Sequence, residues 1–295
     1  MMGAMTRSPV LGPRAFLKSL GFATDKRPHQ IDNALLLSLN ASDRDRLRSI
    51  WAVRNAGLGD GLEMYGVPKT SKQAALLFSY DWPRAAATMA WFAEVVVSRA
   101  PRSVTEMGCG AGFLLAYLKR LSASVEFSGI EEMDNLAQIA RDLAGANVIA
   151  GDYLAMQPTH QSEMLLCDFG FDLSRLAPSD RPHGIADIAG QEFCPNCSDD
   201  MKVQLDDYMR AWRRWGTDDA WFALAGRVGN FGVLRAFVLA ANDANWVIDL
   251  DRSRILAVRN VEGGVERFPA LIFGPPSGGR PRATLEDCAR FFARQ

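Results

Sequence analysis

The stretch Val104-Thr105-Glu106-Met107-Gly108-Cys109-Gly110-Ala111-Gly112-Phe113 joins a strand-like run to a helix-like run through glycines at every second position. Glycine admits positive φ and carries no Cβ, so such a bend can lay its amides against a polar ligand at a helix N-terminus. The rest of the fold has to put a strand end and a helix start around that bend. Alternating strand and helix patterns follow it, which implies a parallel sheet covered on both faces.

The spacing narrows the ligand. Dinucleotide folds use G-x-G-x-x-G, whose third glycine lets the helix pack closely under a pyrophosphate. Here the pattern is E-x-G-x-G-x-G, with the third glycine one place early at Gly112 and the bulky Phe113 next. This resembles motif I of the class I S-adenosylmethionine-dependent methyltransferases, whose cofactor carries an amino acid moiety and a ribose instead of phosphates. The resemblance implies a Rossmann-like, mostly parallel seven-stranded sheet with helices on both faces and a closing antiparallel hairpin. It also implies cofactor contacts from Glu106, Gly108, Cys109, Gly110 and Gly112.

Further elements fall into place around this motif. Leu114 to Leu121 reads as a helix and Val125 to Ile130 as an apolar strand, which ends at Glu131 and Glu132 about 20 residues after the glycines, where a ribose would sit. In the family the acidic residue ending the second strand binds the ribose hydroxyls, which maps onto Glu131. Asn135 to Leu143 reads as a helix and Ala146 to Ala150 as a strand. By the same resemblance Asp152 contacts the adenine amino group, with Tyr153 beside the ring. A fourth strand, Met164 to Cys167, ends in Asp168-Phe169-Gly170-Phe171, which puts Asp168 at the ligand crevice as a further cofactor contact, near the transferring methyl or the methionine end. Families that methylate amide or nucleobase nitrogens carry Asn/Asp-Pro-Pro-Tyr/Phe at this point, so the departure argues against those acceptors. Strand five is Ala220 to Ala225, and Trp246 to Leu250, Ile255 to Val258 and Ala270 to Phe273 can supply the hairpin.

The expected organisation is a helical extension over 1–100, a cofactor-binding domain over 101–275 and a tail with a short helix over 276–295. In the extension, Ser42 is the expected N-cap of a helix reaching Asn55, and Pro83 to Ser98 reads as a helix with Met89, Phe92, Ala93 and Val96 on one face. By resemblance, Tyr65, Lys69, Tyr80, Asp81 and Trp82 are lid candidates. Gly170 to Cys197 is a long connection of the kind that becomes a functional lid. It holds His183 and Cys194-Pro195-Asn196-Cys197. Half of a four-ligand site is weak ground for zinc, so the expectation is two thiols without metal.

Composition bounds the partners. A formal net charge of -1 provides no global basic field, so nucleic acid is not a favoured partner. Five scattered cysteines do not make a secreted disulfide framework and fit a reducing, cytoplasmic setting. No apolar run approaches a membrane span. Arg7, Arg14 and Lys18, with no acid before Asp25, are only weakly transit-like.

The expected activity is therefore transfer of a methyl group from S-adenosylmethionine to a small molecule or a protein side chain. Asp168 and His183 are the two candidates to take the acceptor's proton. A non-catalytic module of the same fold, serving in assembly, is the alternative. A nucleotide-dependent oxidoreductase fits the glycine spacing less well.

Overall fold

Side chains alternating across an extended strand decide how this molecule is layered. In the strand Ser162–Asp168 (β4), Met164 and Leu166 face one apolar cluster while Leu165 and Cys167 face another. Phe222 and Leu224 likewise oppose Ala223 and Ala225 in Gly216–Ala225 (β7). Strands buried on both faces need helices on both sides, and that is the architecture of this computed structural model, which describes residues 11–171, 176–276 and 282–295.

The central strands are Ser103–Met107 (β1), Glu126–Glu131 (β2), Asn147–Ala150 (β3), β4 and β7, running parallel in the order β3-β2-β1-β4-β7. Val265–Gly274 (β10) then pairs antiparallel with β7, and Val247–Ile248 (β8) and Arg254–Arg259 (β9) pair antiparallel with β10. This is the parallel sheet with a closing antiparallel hairpin that the resemblance implied. Among the described residues it has eight strands where seven were expected, because β10 is long enough to carry β9 along its first half and β7 along its second. Strand order reverses between β1 and β4, which opens a crevice at their C-terminal ends.

On one face lie Phe113–Leu121 (α6), Asp134–Ala144 (α7) and Trp82–Arg99 (α5), the last burying Met89, Phe92 and Val96 against the sheet. On the other lie Pro195–Trp215 (α8), Phe231–Asp243 (α9) and Leu285–Phe292 (α10). Of the N-terminal helices, Pro13–Ser19 (α1) and Ser71–Leu77 (α4) pack on the first face, while Pro28–Ser38 (α2) and Ala41–Asn55 (α3) join α4 in a smaller cluster of their own. The cap of α3 is Asn40, not Ser42: the extended backbone of Asn40 lets its side chain accept from the Asp43 amide at 2.9 Å. The long connection is not wholly irregular, since Ala186–Ile188 (β5) and Gln191–Phe193 (β6) form a separate hairpin. Arg7 lies outside the described residues.

Candidate functional site

The C-terminal ends of β1, β2, β3 and β4 meet the N-terminal helices around a cavity of about 350 Å³, a size typical of small-ligand sites. Gly108, Gly110 and Gly112 all hold positive φ, at 70°, 52° and 74°. A Cβ on Gly108 would stand 2.7 Å from the Cα of Gly170, so this bend and the turn after β4 touch backbone to backbone. Gly110 instead presents its bare face to the cavity, with only Phe78 Cζ near, at 3.9 Å. Gly112, expected among the cofactor contacts, is placed elsewhere. It is absent from the lining, and a Cβ there would fall 2.7 Å from that of Ala140, so its bareness lets α6 pack on α7.

Glu131 is locked in place. Its Oε2 accepts from the Gly110 amide at 2.7 Å and its Oε1 from the Met133 amide at 2.9 Å, while the Cys109 amide donates to the Ile130 carbonyl. The carboxylate thus ties the glycine bend to the end of β2 and lines the cavity. Asp152 lines it too, although its Oδ1 also accepts from the Leu154 amide at 2.8 Å as a turn cap. Beside it Tyr153 donates to the Gly170 carbonyl at 3.4 Å and leans on Tyr208 and Trp212.

Two more carboxyls complete the floor. Glu106 is buried, and its Oε2 has no hydrogen-bond partner among the described residues. Burial pushes its carboxyl well above the usual range, and the nearby Asp168 and Glu131 push it further. Asp168 ends β4 at the cavity's edge, closely surrounded yet partly open to it, and burial lifts it to about 6. The positive charge of Arg84 and a 2.9 Å hydrogen bond from Thr88 pull the other way. Cys109 is buried here as well, its thiol pushed up by the same lack of water.

The lining holds six acidic side chains, Asp81, Glu106, Glu131, Glu132, Asp152 and Asp168, against two arginines, Arg84 and Arg227. Such a surface favours a cationic ligand and opposes a pyrophosphate.

Of the five lid candidates, Tyr65 and Asp81 line the cavity. Lys69 is drawn off by an ion pair with Asp43 at 2.5 Å, and Tyr80 by hydrogen bonds to Asp32 and the Pro28 carbonyl. Trp82 lies under the Arg14 guanidinium. Tyr65 stacks on Phe78, which in turn meets Phe113 edge-on, so the first helices and the glycine loop share one aromatic wall. Sequence reasoning missed Arg84, which pairs with Asp81 at 3.0 Å, lies over the Phe169 ring and leaves its Nε without a hydrogen-bond partner among the described residues. An acid and a base three apart around Pro83 were the available signal. Tyr208 and Arg227 carried none, because long-range packing alone brings them in.

His183, the second candidate base, lies outside the cavity lining. The chain folds back through the β5–β6 hairpin and sets His183 Nδ1 3.1 Å from Cys197 Sγ at the start of α8.

No family model matches the chain, and no curated protein matches it. Solved structures do. A TehB-like SAM-dependent methyltransferase from Corynebacterium glutamicum is 14% identical over 63% of this chain and 87% of that one, with a TM-score of 0.41. The O-methyltransferase of a trans-AT PKS multienzyme of Brevibacillus brevis, solved with S-adenosyl-L-homocysteine, is 11% identical over 70% of this chain and 76% of that one, at 0.43. A SAM-dependent methyltransferase from Aquifex aeolicus is 15% identical over 61% and 88%, at 0.38.

Proposed function

We propose that this protein is an S-adenosylmethionine-dependent methyltransferase that acts on a small molecule or a protein side chain. One observation carries the reading: Glu106, Glu131, Asp152 and Asp168, from the ends of four neighbouring strands, converge with the glycine bend on a single cavity. The residues suit that cofactor. Glu106 Oε2, buried with no hydrogen-bond partner among the described residues, would meet an ammonium, whose positive charge offsets the burial that raises this carboxyl, and Arg84 Nε, equally without one among them, would meet a carboxylate, so the pair accommodates an amino acid end. Glu131, held by two amides, takes the ribose hydroxyls, and the bare Gly110 lets the adenosyl portion lie close. Asp152 and Tyr153 face the adenine. The acidic lining speaks against NAD, whose pyrophosphate it would repel.

When bound, the sulfonium supplies an electrophilic methyl group that leaves behind a neutral thioether. The protein's task is then to hold the acceptor in line and keep water out. Phe169, Phe171 and Tyr208 provide apolar walls beside Asp168. With its carboxyl near 6, Asp168 is ionised at neutral pH and takes the proton from an acceptor hydroxyl or ammonium.

Isothermal calorimetry on the full chain tests the reading. S-adenosylmethionine and S-adenosylhomocysteine should give heat and NAD none, and Glu106→Gln should weaken binding by about ten- to a hundredfold, the worth of a charged hydrogen bond. Silence from both sulfur ligands overturns the proposal.

A further inference from the structure

Away from the cavity, His183 Nδ1, Cys194 Sγ and Cys197 Sγ all lie within 4.8 Å of one another, and His183 Nδ1 is 3.1 Å from Cys197 Sγ. A tetrahedral zinc ion, with bonds of about 2.0–2.3 Å, spaces its ligand atoms about 3.5–3.8 Å apart. Small rotations of three exposed or half-buried side chains therefore close such a site. Thiolate and imidazole are the donor set that zinc prefers.

The surroundings hold this geometry ready. Cys194 caps α8, and its sulfur accepts from the Cys197 amide at 3.4 Å, which turns both sulfurs to the same side of the helix start. Residues before His183 are bound to the same helix start. Asn196 donates to the Pro182 carbonyl at 2.7 Å, and Arg181 donates to the Asn196 carbonyl and to both oxygens of Asp200. Partners of this kind orient ligands in metal sites.

The hairpin between them is short and thinly supported. Its strands are three residues each, their residues are exposed or half-buried, and Ile185 just before it is 85% exposed. It rests on the neighbouring helices through Ile188 and Phe193, the latter edge-on to Phe231 and under the Arg235 guanidinium. A two-stranded hairpin of this length is marginal by itself, and a metal closing both of its ends adds to the packing of those two side chains.

We propose that His183, Cys194 and Cys197 bind a zinc ion that clips the β5–β6 hairpin to the N-terminus of α8. Among the described residues no fourth His, Cys, Asp or Glu joins the group, so water or another small ligand takes the remaining position. The clip is structural, because α8 rises about 20 Å from Cys194 to Tyr208, its cavity-lining residue. The inference does not depend on which reaction the cavity performs.

Reduced full-length protein without an affinity tag, stripped of metal and titrated with Co²⁺, tests the site. One equivalent should produce thiolate-to-cobalt charge-transfer absorption that Zn²⁺ then abolishes. His183→Ala and Cys194→Ser should each weaken binding by more than about tenfold, and the buried Cys288→Ser should not. Circular dichroism and S-adenosylhomocysteine calorimetry on the same variants separate loss of metal from loss of fold. No charge-transfer band at one equivalent, an unchanged affinity in a folded His183→Ala variant, or a Cys194–Cys197 disulfide in protein isolated under reducing conditions would each overturn the proposal.

Discussion

Two cavities among the described residues differ in what lines them, and the larger is the less informative. About 870 Å³ opens near β8 and α10, where charges neutralise one another: Asp249 pairs with Arg252 at 2.6 Å and with Arg99 at 3.7 Å, Asp287 pairs with Arg290 at 2.6 Å, and Arg99 lies over Trp221. The cavity of about 350 Å³ is more one-sided in charge. It gathers six acids around two arginines and leaves Glu106 Oε2 and Arg84 Nε without partners among the described residues. Volume shows where atoms are missing, whereas a surplus of buried acids over bases shows where a cationic ligand completes the structure.

The sharpest way to break this contrast is Gly110→Val. Its side chain would point into the smaller cavity from a left-handed backbone, so binding of S-adenosylhomocysteine should fall below calorimetric detection. The strained backbone costs about 1–2 kcal/mol, a few degrees in Tm, and circular dichroism should still report a folded chain. Retained affinity would mean that the bend does not face the ligand.

Asp168→Asn should come next, lowering kcat by about 10²–10⁴-fold and removing an acid limb near pH 6 from the rate profile, since the base works only when ionised. Stability should move the other way. Folded Asp168 keeps its proton up to about pH 6, whereas in the unfolded chain it is lost near 3.9, so between those values the native state binds more protons and loses stability as pH rises. The variant lacks that penalty, and its Tm relative to the parent should climb between pH 4 and pH 7. A parallel pH dependence of the two proteins would sink the assignment.

The smallest effect belongs to the larger cavity. Arg290→Ala, which removes one exposed ion pair, should leave S-adenosylhomocysteine affinity within about twofold and cost no more than about 1 kcal/mol. A large loss of affinity there would show that the two cavities communicate.

What could be read along the chain was whatever depends on neighbours in sequence. Positive φ at Gly108, Gly110 and Gly112, a carboxylate ending β2, the alternation of strands with helices and the apolar stripe of α5 all follow from local sterics and periodicity. Packing between distant segments decided the rest. It turned Gly112 from ligand contact to helix spacer against Ala140, took Lys69 and Tyr80 into ion pairs and hydrogen bonds away from the cavity, and laid β9 along the first half of β10. It set His183 beside Cys197 and away from the cavity lining, and it carried Arg84, Tyr208 and Arg227 into the cavity from elements with no motif of their own. Local backbone geometry is written in a few adjacent residues. Which charges end up buried without a partner depends on every segment that closes over them, and only the folded chain settles that.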